Sequence, residues 1–298
     1  MDYFLHIGTL MALYMVLVQS MNIYLGYTNI LALSHIAFMG IGAYSGALIT
    51  MNGGSYWLGF LVAGLIAIVL GFLIGLTSIK LKADYLGIAT LGFAYIINVV
   101  TQNWTELTRG PLGLPGIPRP SIFGYTLTSK LSFFLFTLLI CSILMFLMYR
   151  IVKSPFGKVL ETIRDDEVAA KSLGTNTIHY KLLVFSLGSM IAALVGTLYS
   201  PFIGYIDPKS FTLHEMALIL VMMILGGLGT FRGAFLGVLI IVFIQEGVTF
   251  LSLPAQYVGA LQLLLYSLVF LTVMIYFPQG VGGFLKHKKR RKKQFTNY

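Results

Sequence analysis

Side chains able to make or break bonds are few in this sequence, and they are scattered. His6, His35, His179, His214 and His287 show none of the spacings that gather a zinc ion. His214-Glu215 is not part of an H-E-x-x-H helix. Ser34 and His35 are neighbours in the chain, and adjacent residues on a helix do not face each other. Cys141 is the single cysteine, which excludes an internal disulfide and a cysteine-based metal cluster. No G-x-x-x-x-G-K-[ST] run occurs, so no phosphate loop for ATP is expected in this chain. No catalytic residue, no metal site and no enzymatic activity are therefore expected.

The remaining chemistry is charge, and most of it sits in one internal stretch. Four of the ten acidic residues, Glu161, Asp165, Asp166 and Glu167, lie between Lys153 and Gly174. Ser154 suits a helix cap, Pro155 a first helical position and Gly174 a stop. Phe156, Val159, Leu160, Ile163, Ala170 and Leu173 recur at helical spacing, so one apolar face is expected. A charged amphipathic unit here fits a lever moved from outside the chain, and it fits an ordinary solvated loop equally.

The elements around this stretch are set by composition. The 298 residues are 57% hydrophobic and 10% charged, with a mean hydropathy of +0.87. Soluble domains carry roughly 25% charged residues, so the solvent of this chain is a bilayer. A spanning helix needs about 20 mostly apolar residues. The segments 4–25, 30–51, 57–79, 84–102, 129–150, 181–204, 211–229, 233–252 and 257–277 meet that need. The second and seventh are glycine-rich, open to breaks or re-entry, so eight to ten spans are expected. The fold class is all-α, a polytopic helical bundle. Residues 1–285 form the membrane domain and 286–298 a basic tail.

Basic residues orient the bundle. With the charged loop in the cytoplasm, sixteen Lys and Arg residues fall inside, from Lys80 to the tail Lys286–Lys293, and only Arg109, Arg119, Lys130 and Lys209 fall outside. The C-terminus is then inside and the N-terminus outside. The tail reads as an anchor on anionic lipid headgroups. It has no folded module beside it, so nucleic acid is not an expected partner despite the net charge of +10. Residues 103–128 carry too much Pro and Gly for a long helix or a central strand. They read as a structured external loop, resting on the bilayer or meeting a partner.

One echo runs through the chain. Residues 40–46 and 227–233 both read G-x-G-x-aromatic-x-G. Inverted repeats with glycine-interrupted helices build central sites in many transporters; glycine also simply lets membrane helices approach. On the first reading a path runs beside Gly40, Gly42, Gly227 and Gly229, with Ser34, His35, Phe38, Thr90 and Asn98 near it. Ionisable residues in or near the spans are His35, Asp84, His214, Glu215 and Glu246. No chain of buried acids of the kind proton-coupled carriers use is present.

The stretch Glu167-Val-Ala169-Ala170-Lys-Ser-Leu-Gly174 resembles the EAA loop of ABC importer permeases. Leu33–Tyr44, Asp84–Phe93, Leu107–Pro118, Ile163–Ala170, Asp207–Phe211 and Gly226–Thr230 follow, in order and spacing, the LivM-type permease family of branched-chain amino acid importers. The resemblance covers nearly the whole chain. It departs where that family often has a Glu and an Arg after Leu91-Gly-Phe93: here Tyr95 and Asn98 stand there, and no charge pair carries over.

The resemblance implies a multi-pass protein of a bacterial or archaeal cytoplasmic membrane that imports leucine, isoleucine, valine or similar apolar amino acids. Its implied partners are a second permease, usually a LivH-type subunit, two cytoplasmic ATPases that bind the ATP, and an extracytoplasmic solute-binding protein. In the family the loop forms coupling helices seated in a groove of the ATPase. Residues 153–178 are expected to do so here, through Arg164, Asp165, Asp166, Glu167, Ala169, Ala170 and Gly174. Permeases for urea and short amides share much of the pattern, and an ion-coupled carrier working alone is the reading from another class.

Overall fold

The computed structural model describes residues 2–78, 81, 83–122, 125–250, 254–276, 280 and 282. The protein is an all-α polytopic bundle. Its first helices are α1 (Asp2–Thr28), α2 (His35–Met51), α3 (Tyr56–Ser78), α4 (Ala83–Asn103) and the short α5 (Thr105–Thr108). Two-residue strands β1 (Leu114–Pro115), β2 (Ser121–Ile122) and β3 (Tyr125–Thr126) follow. Then come α6 (Lys130–Lys153), α7 (Pro155–Asp165), α8 (Glu167–Ser172), α9 (Thr177–Ile203) and β4 (Tyr205–Ile206), and last α10 (Leu213–Gly226), α11 (Phe231–Phe250) and α12 (Ala255–Tyr276). Each of the nine apolar segments coincides with a helix. Among the described residues seven are long and apolar enough to cross a bilayer, while α2 and α10 are shorter, at 17 and 14 residues.

The second segment is broken, but upstream of its glycines. Helix α1 stops at Asn29, whose φ of 58° is left-handed. The Asn29 and Ile30 amides close back on Leu25 and Tyr24 carbonyls, the first of them the bond of an αL-type helix ending. Residues 29–34 are not helical, and α2 starts with His35 against Ser20 of α1. Ser20 lies eight residues before the end of α1, a depth of about 12 Å at 1.5 Å per residue. Non-helical backbone at that depth needs partners within the protein. The Thr90 hydroxyl of α4 supplies one, accepting from the Leu33 amide at 2.9 Å.

Contacts divide the chain into two units, Met1–Met216 and Ala217–Tyr298. In the first, α9 is the buried centre, packed by α1, α2 and α3. Small residues set this packing. A Cβ on Gly42 would fall 2.0 Å from the Ala193 carbonyl oxygen, and one on Gly196 would fall 2.0 Å from that of Met39. Helices α2 and α9 thus cross with backbones touching, as small-residue interfaces in membranes permit. Ser189 lies against Gly71 of α3 and Tyr24 of α1 against Gly188. The outward faces of α3 and α6 are apolar, with Leu61, Leu65, Phe72, Leu135, Leu139 and Phe146 exposed.

In the second unit the break falls on the glycines themselves. Gly227 and Gly229 have φ of 102° and 67°, a conformation that excludes most side chains, and they separate α10 from α11. A Cβ on Gly237 would meet the Met222 carbonyl oxygen at 1.8 Å, so that hairpin is also closed backbone to backbone. The two halves of the glycine echo therefore differ: Gly40 and Gly42 lie inside a continuous helix, Gly227 and Gly229 in a left-handed turn. The tail 286–298 and the Asp84 side chain lie outside the described residues.

Opposite ends of the first unit are distinct. Lys130 pairs with Asp2 at 2.7 Å, and β1 pairs with β4 antiparallel, so the start of α1, the start of α6 and the end of α9 share one end. The 103–128 segment, expected as a structured loop, is built from α5, a 3-10 turn at Gly110–Leu112, β1, and the β2–β3 pair. Helices α7 and α8 lie at the other end, against the end of α1.

Candidate functional site

The charged stretch forms two helices rather than one. In α7 the Ser154 side chain caps the Gly157 amide and Pro155 takes the first position. Gly157 is required there, because a Cβ would fall 2.1 Å from the Val152 carbonyl oxygen. Asp166 then leaves the helix (φ −156°, ψ 103°) and caps α8, accepting from the Val168 and Ala169 amides at 2.9 Å each. Gly174, at φ 85°, ends the unit. One residue of extended backbone thus turns the chain between two short helices.

The inner side of the pair is tied to the bundle at three places. Leu160, Ile163 and Ala170 are buried. Arg164 donates to the Gly26 carbonyl near the end of α1 at 3.3 Å, and its other nitrogens pair with Asp165 at 2.9–3.0 Å. Glu167 accepts from Lys181 of α9 at 2.6 Å, from Lys171 at 3.0 Å and from the Thr177 hydroxyl at 3.2 Å. Partial burial raises the Glu167 pKa, but the hydrogen bonds and charges of Lys181 and Lys171 outweigh it and hold the carboxyl below its ordinary value.

The outer side carries a different surface. Val168 and Leu173 are 74% and 82% exposed, with Ala169, Lys171 and Gly174 beside them. Ala170, expected to share this small-residue surface with Ala169, is instead fully buried. The two alanines are adjacent, and one step of about 100° on a helix of 3.6 residues per turn carries the second to the inner side.

Between the pair and the bundle lies a cleft of about 310 Å³. Thr28–Leu31 line one wall, Leu81 and Leu86 another, and Ile163–Glu167 with Lys181 the third. The cleft thus joins the α7–α8 junction to the non-helical run that leads into α2.

The residues expected near a path are placed as follows. Ser34, His35, Phe38, Gly40, Gly42 and Thr90 lie inside the first unit. His35 Nε2 lies 2.9 Å from the Ser20 hydroxyl and 3.0 Å from the Leu17 carbonyl. A carbonyl only accepts, so the ring proton is on Nε2. Phe38 packs among Phe93 and Phe185, and Gly40 lies against Phe211. Asn98 donates to the Pro208 carbonyl at 2.8 Å. Gly227 and Gly229 belong to the second unit. Among the described residues no three His, Cys, Asp or Glu side chains are grouped to hold a metal.

Sequence reasoning missed Lys181, Thr177 and Gly26, which meet the charged stretch, and Gly196, which meets α2. Only the last left a trace: Gly188, Ser189, Ala192, Ala193 and Gly196 repeat small residues along one helix.

A helical bundle of this length and polarity, with an amphipathic helix pair tied to one end, defines an integral membrane protein. The chain belongs to the family described as branched-chain amino acid transport system / permease component, whose profile matches residues 3–277. It is 32% identical over 92% of its length to the high-affinity branched-chain amino acid transport system permease protein LivM of Escherichia coli (strain K12), covering 69% of that protein. It is 30% identical over 74% of its length to the probable branched-chain amino acid transport permease protein LivM of Methanocaldococcus jannaschii, covering 67% of it. The autoinducer 2 import system permease protein LsrC of Photorhabdus laumondii is 27% identical over 72% of this chain and 66% of its own. No solved structure matches the chain.

Proposed function

We propose that this chain is a membrane-spanning subunit of an ATP-driven importer for leucine, isoleucine, valine or similar apolar amino acids, and that α7–α8 receives the push of a partner ATPase. The observation that carries the second part is the two-sidedness of the helix pair. Its inner side is fixed to the ends of α1 and α9 through Arg164 and Glu167, while its outer side leaves Val168, Ala169 and Leu173 exposed. Exposed apolar groups beside charges suit a partner surface, where apolar contact holds and charge sets register. A push there reaches the 29–34 run through Arg164 and the cleft, and from that run α2 and Thr90 of α4. The solute class follows the relatives named for branched-chain transport, which exceed the autoinducer permease in identity.

The assembly in this reading holds two permeases, the second of LivH type, two cytoplasmic ATPases that bind the ATP, and an external solute-binding protein. The chain lies in the cytoplasmic membrane with α7–α8 inside, an orientation that the excess of sixteen basic residues over four on that side supports. The test is uptake by the reconstituted complex with leucine, valine and urea in competition. Leucine uptake that needs ATP and the binding protein, and that urea leaves untouched, supports the reading. Uptake by this chain alone under an ion gradient overturns it. For the lever, Ala169→Trp is expected to assemble and bind solute yet lose most solute-stimulated ATP hydrolysis. Unchanged coupling in that variant removes α8 from the contact.

A further inference from the structure

Helix α4 is the least apolar of the seven long helices, yet little of it is buried against the rest of the chain. Its inner side is polar and engaged: Thr90 holds Leu33, and Asn98 holds Pro208. These two bonds fix the rotation of the helix. On the opposite side Tyr85, Ile88, Tyr95, Ile96 and Val99 are exposed, and Gly92 between them has nothing within 4 Å of where a Cβ would stand.

Tyr95 is the informative residue on that side. It is 69% exposed, and its hydroxyl makes no hydrogen bond among the described residues. The helix has 21 residues, about 31 Å at 1.5 Å each, close to the ~30 Å of the hydrocarbon core. Tyr95 lies two residues past its midpoint, about 3 Å from mid-depth. Helical side chains lean toward the N-terminus, so this one leans back toward the centre and away from the nearer interface. Exposed tyrosine belongs at membrane interfaces, where the hydroxyl is wet. At mid-depth in lipid it would have no partner. The exposed faces of α3 and α6 carry mainly leucine with Phe72 and Phe146 instead, and their exposed Trp57 and Tyr149 lie within about four residues of a helix end.

We propose that the outward face of α4, centred on Gly92 and Tyr95, faces water rather than lipid and lines the path taken by the solute. This rests on the transporter reading above. Gly92 leaves the width, and the Tyr95 hydroxyl offers a passing amino acid one group that can both donate and accept a hydrogen bond. Thr90 and Asn98 are then positioning residues that aim this face. An enclosure needs a second wall, which the other permease of the assembly supplies.

The experiment uses the whole complex in membranes, with the buried Cys141 replaced by Ser as background. Ile88→Cys, Gly92→Cys and Tyr95→Cys are treated with a small, water-soluble, charged thiol reagent, beside Leu65→Cys on α3 and Leu139→Cys on α6 as lipid-facing controls. Since thiolate, which forms in water, is the reactive species, the α4 variants are expected to label at least about tenfold faster than the controls. Solute-loaded binding protein with a non-hydrolysable ATP analogue is expected to change that rate. If one α4 variant fails to assemble, the other two carry the test. Labelling no faster than the controls in a complex that still imports leucine overturns the path assignment and leaves the function intact. Fast α4 labelling in a complex that imports some other solute keeps the path and overturns the choice of solute.

Discussion

At the scale of single residues, neighbouring positions with similar chemistry have opposite fates. Ala169 is exposed and Ala170 is buried. Trp at Ala169 adds surface; Trp at Ala170, which is fully buried, must displace the side chains around it or lift α8 away. Ala170→Trp is therefore expected to lower the thermal midpoint of the purified protein by several degrees, as overpacking of about 1–3 kcal/mol does, while Ala169→Trp leaves it unchanged. Size-exclusion fluorescence after heating separates the two. Glu167 makes a second residue-level prediction. Its pKa is lowered on folding, so the stabilisation it gives is complete above the ordinary carboxylate value and is lost as pH falls through the lowered one. Glu167 is about one-third exposed, so the pair with Lys181 is worth no more than about 1 kcal/mol. Protection of the α8 amides, taken relative to their intrinsic exchange rate at each pH, is expected to fall as the pH drops below the ordinary carboxylate range, and Glu167→Gln is expected to show the lower protection already at neutral pH. A flat pH profile in the native protein would refute the role of the pair.

At the scale of elements, the contact of α2 with α9 and the break before α2 govern stability. The Gly42 and Gly196 backbones leave no room for a methyl group. Gly42→Ala and Gly196→Ala must part the two helices and are expected to abolish folded protein or to cost about 1–3 kcal/mol. Gly92→Ala is the control: it meets nothing and gains up to about 1 kcal/mol of helix propensity. The non-helical run 29–34 depends on Thr90. Thr90→Val keeps the shape but strands the Leu33 amide, a loss of about 1–3 kcal/mol, and Thr90→Ser is expected to restore it. Thermal midpoints of the three proteins in detergent check the order. Equal midpoints for Thr90→Val and the native protein would show that another group satisfies the amide.

At the scale of the whole molecule, the distribution of charge bears on who selects the solute. The long helices hold few charges, and the opposite pair between two of them, Asp2 with Lys130, closes on itself at one end of the first unit. Large discrimination needs buried polar groups that a wrong ligand leaves unpaired; an extra methylene in an apolar pocket is worth only about 1–3 kcal/mol. A path of tyrosine, glycine and aliphatic side chains is accordingly permissive. Exchanging the binding protein for one of related specificity at fixed permease is expected to change which amino acid enters. Competition uptake checks this, and a preference that stays with the permease would reveal a tight site in the membrane.

The sequence by itself determined the membrane class, the nine apolar segments and the position of the charged helical unit. These depend on composition and on short-range periodicity, which a chain carries without its fold. It also marked the second and seventh segments as irregular, because glycine density is local. Only the tertiary structure decided where the irregularity falls. In segment two the glycines serve a helix crossing, and the break lies at 29–34, where Thr90, 57 residues beyond Leu33, supplies the missing acceptor. The split of the charged stretch at Asp166, the burial of Ala170 and the tie from Arg164 to Gly26, 138 residues away, have the same cause. Each depends on which distant backbone lies alongside. So do the inward turn of Thr90 and Asn98 and the outward turn of Tyr95: a helix of uncertain rotation has no inner face until its neighbours choose one.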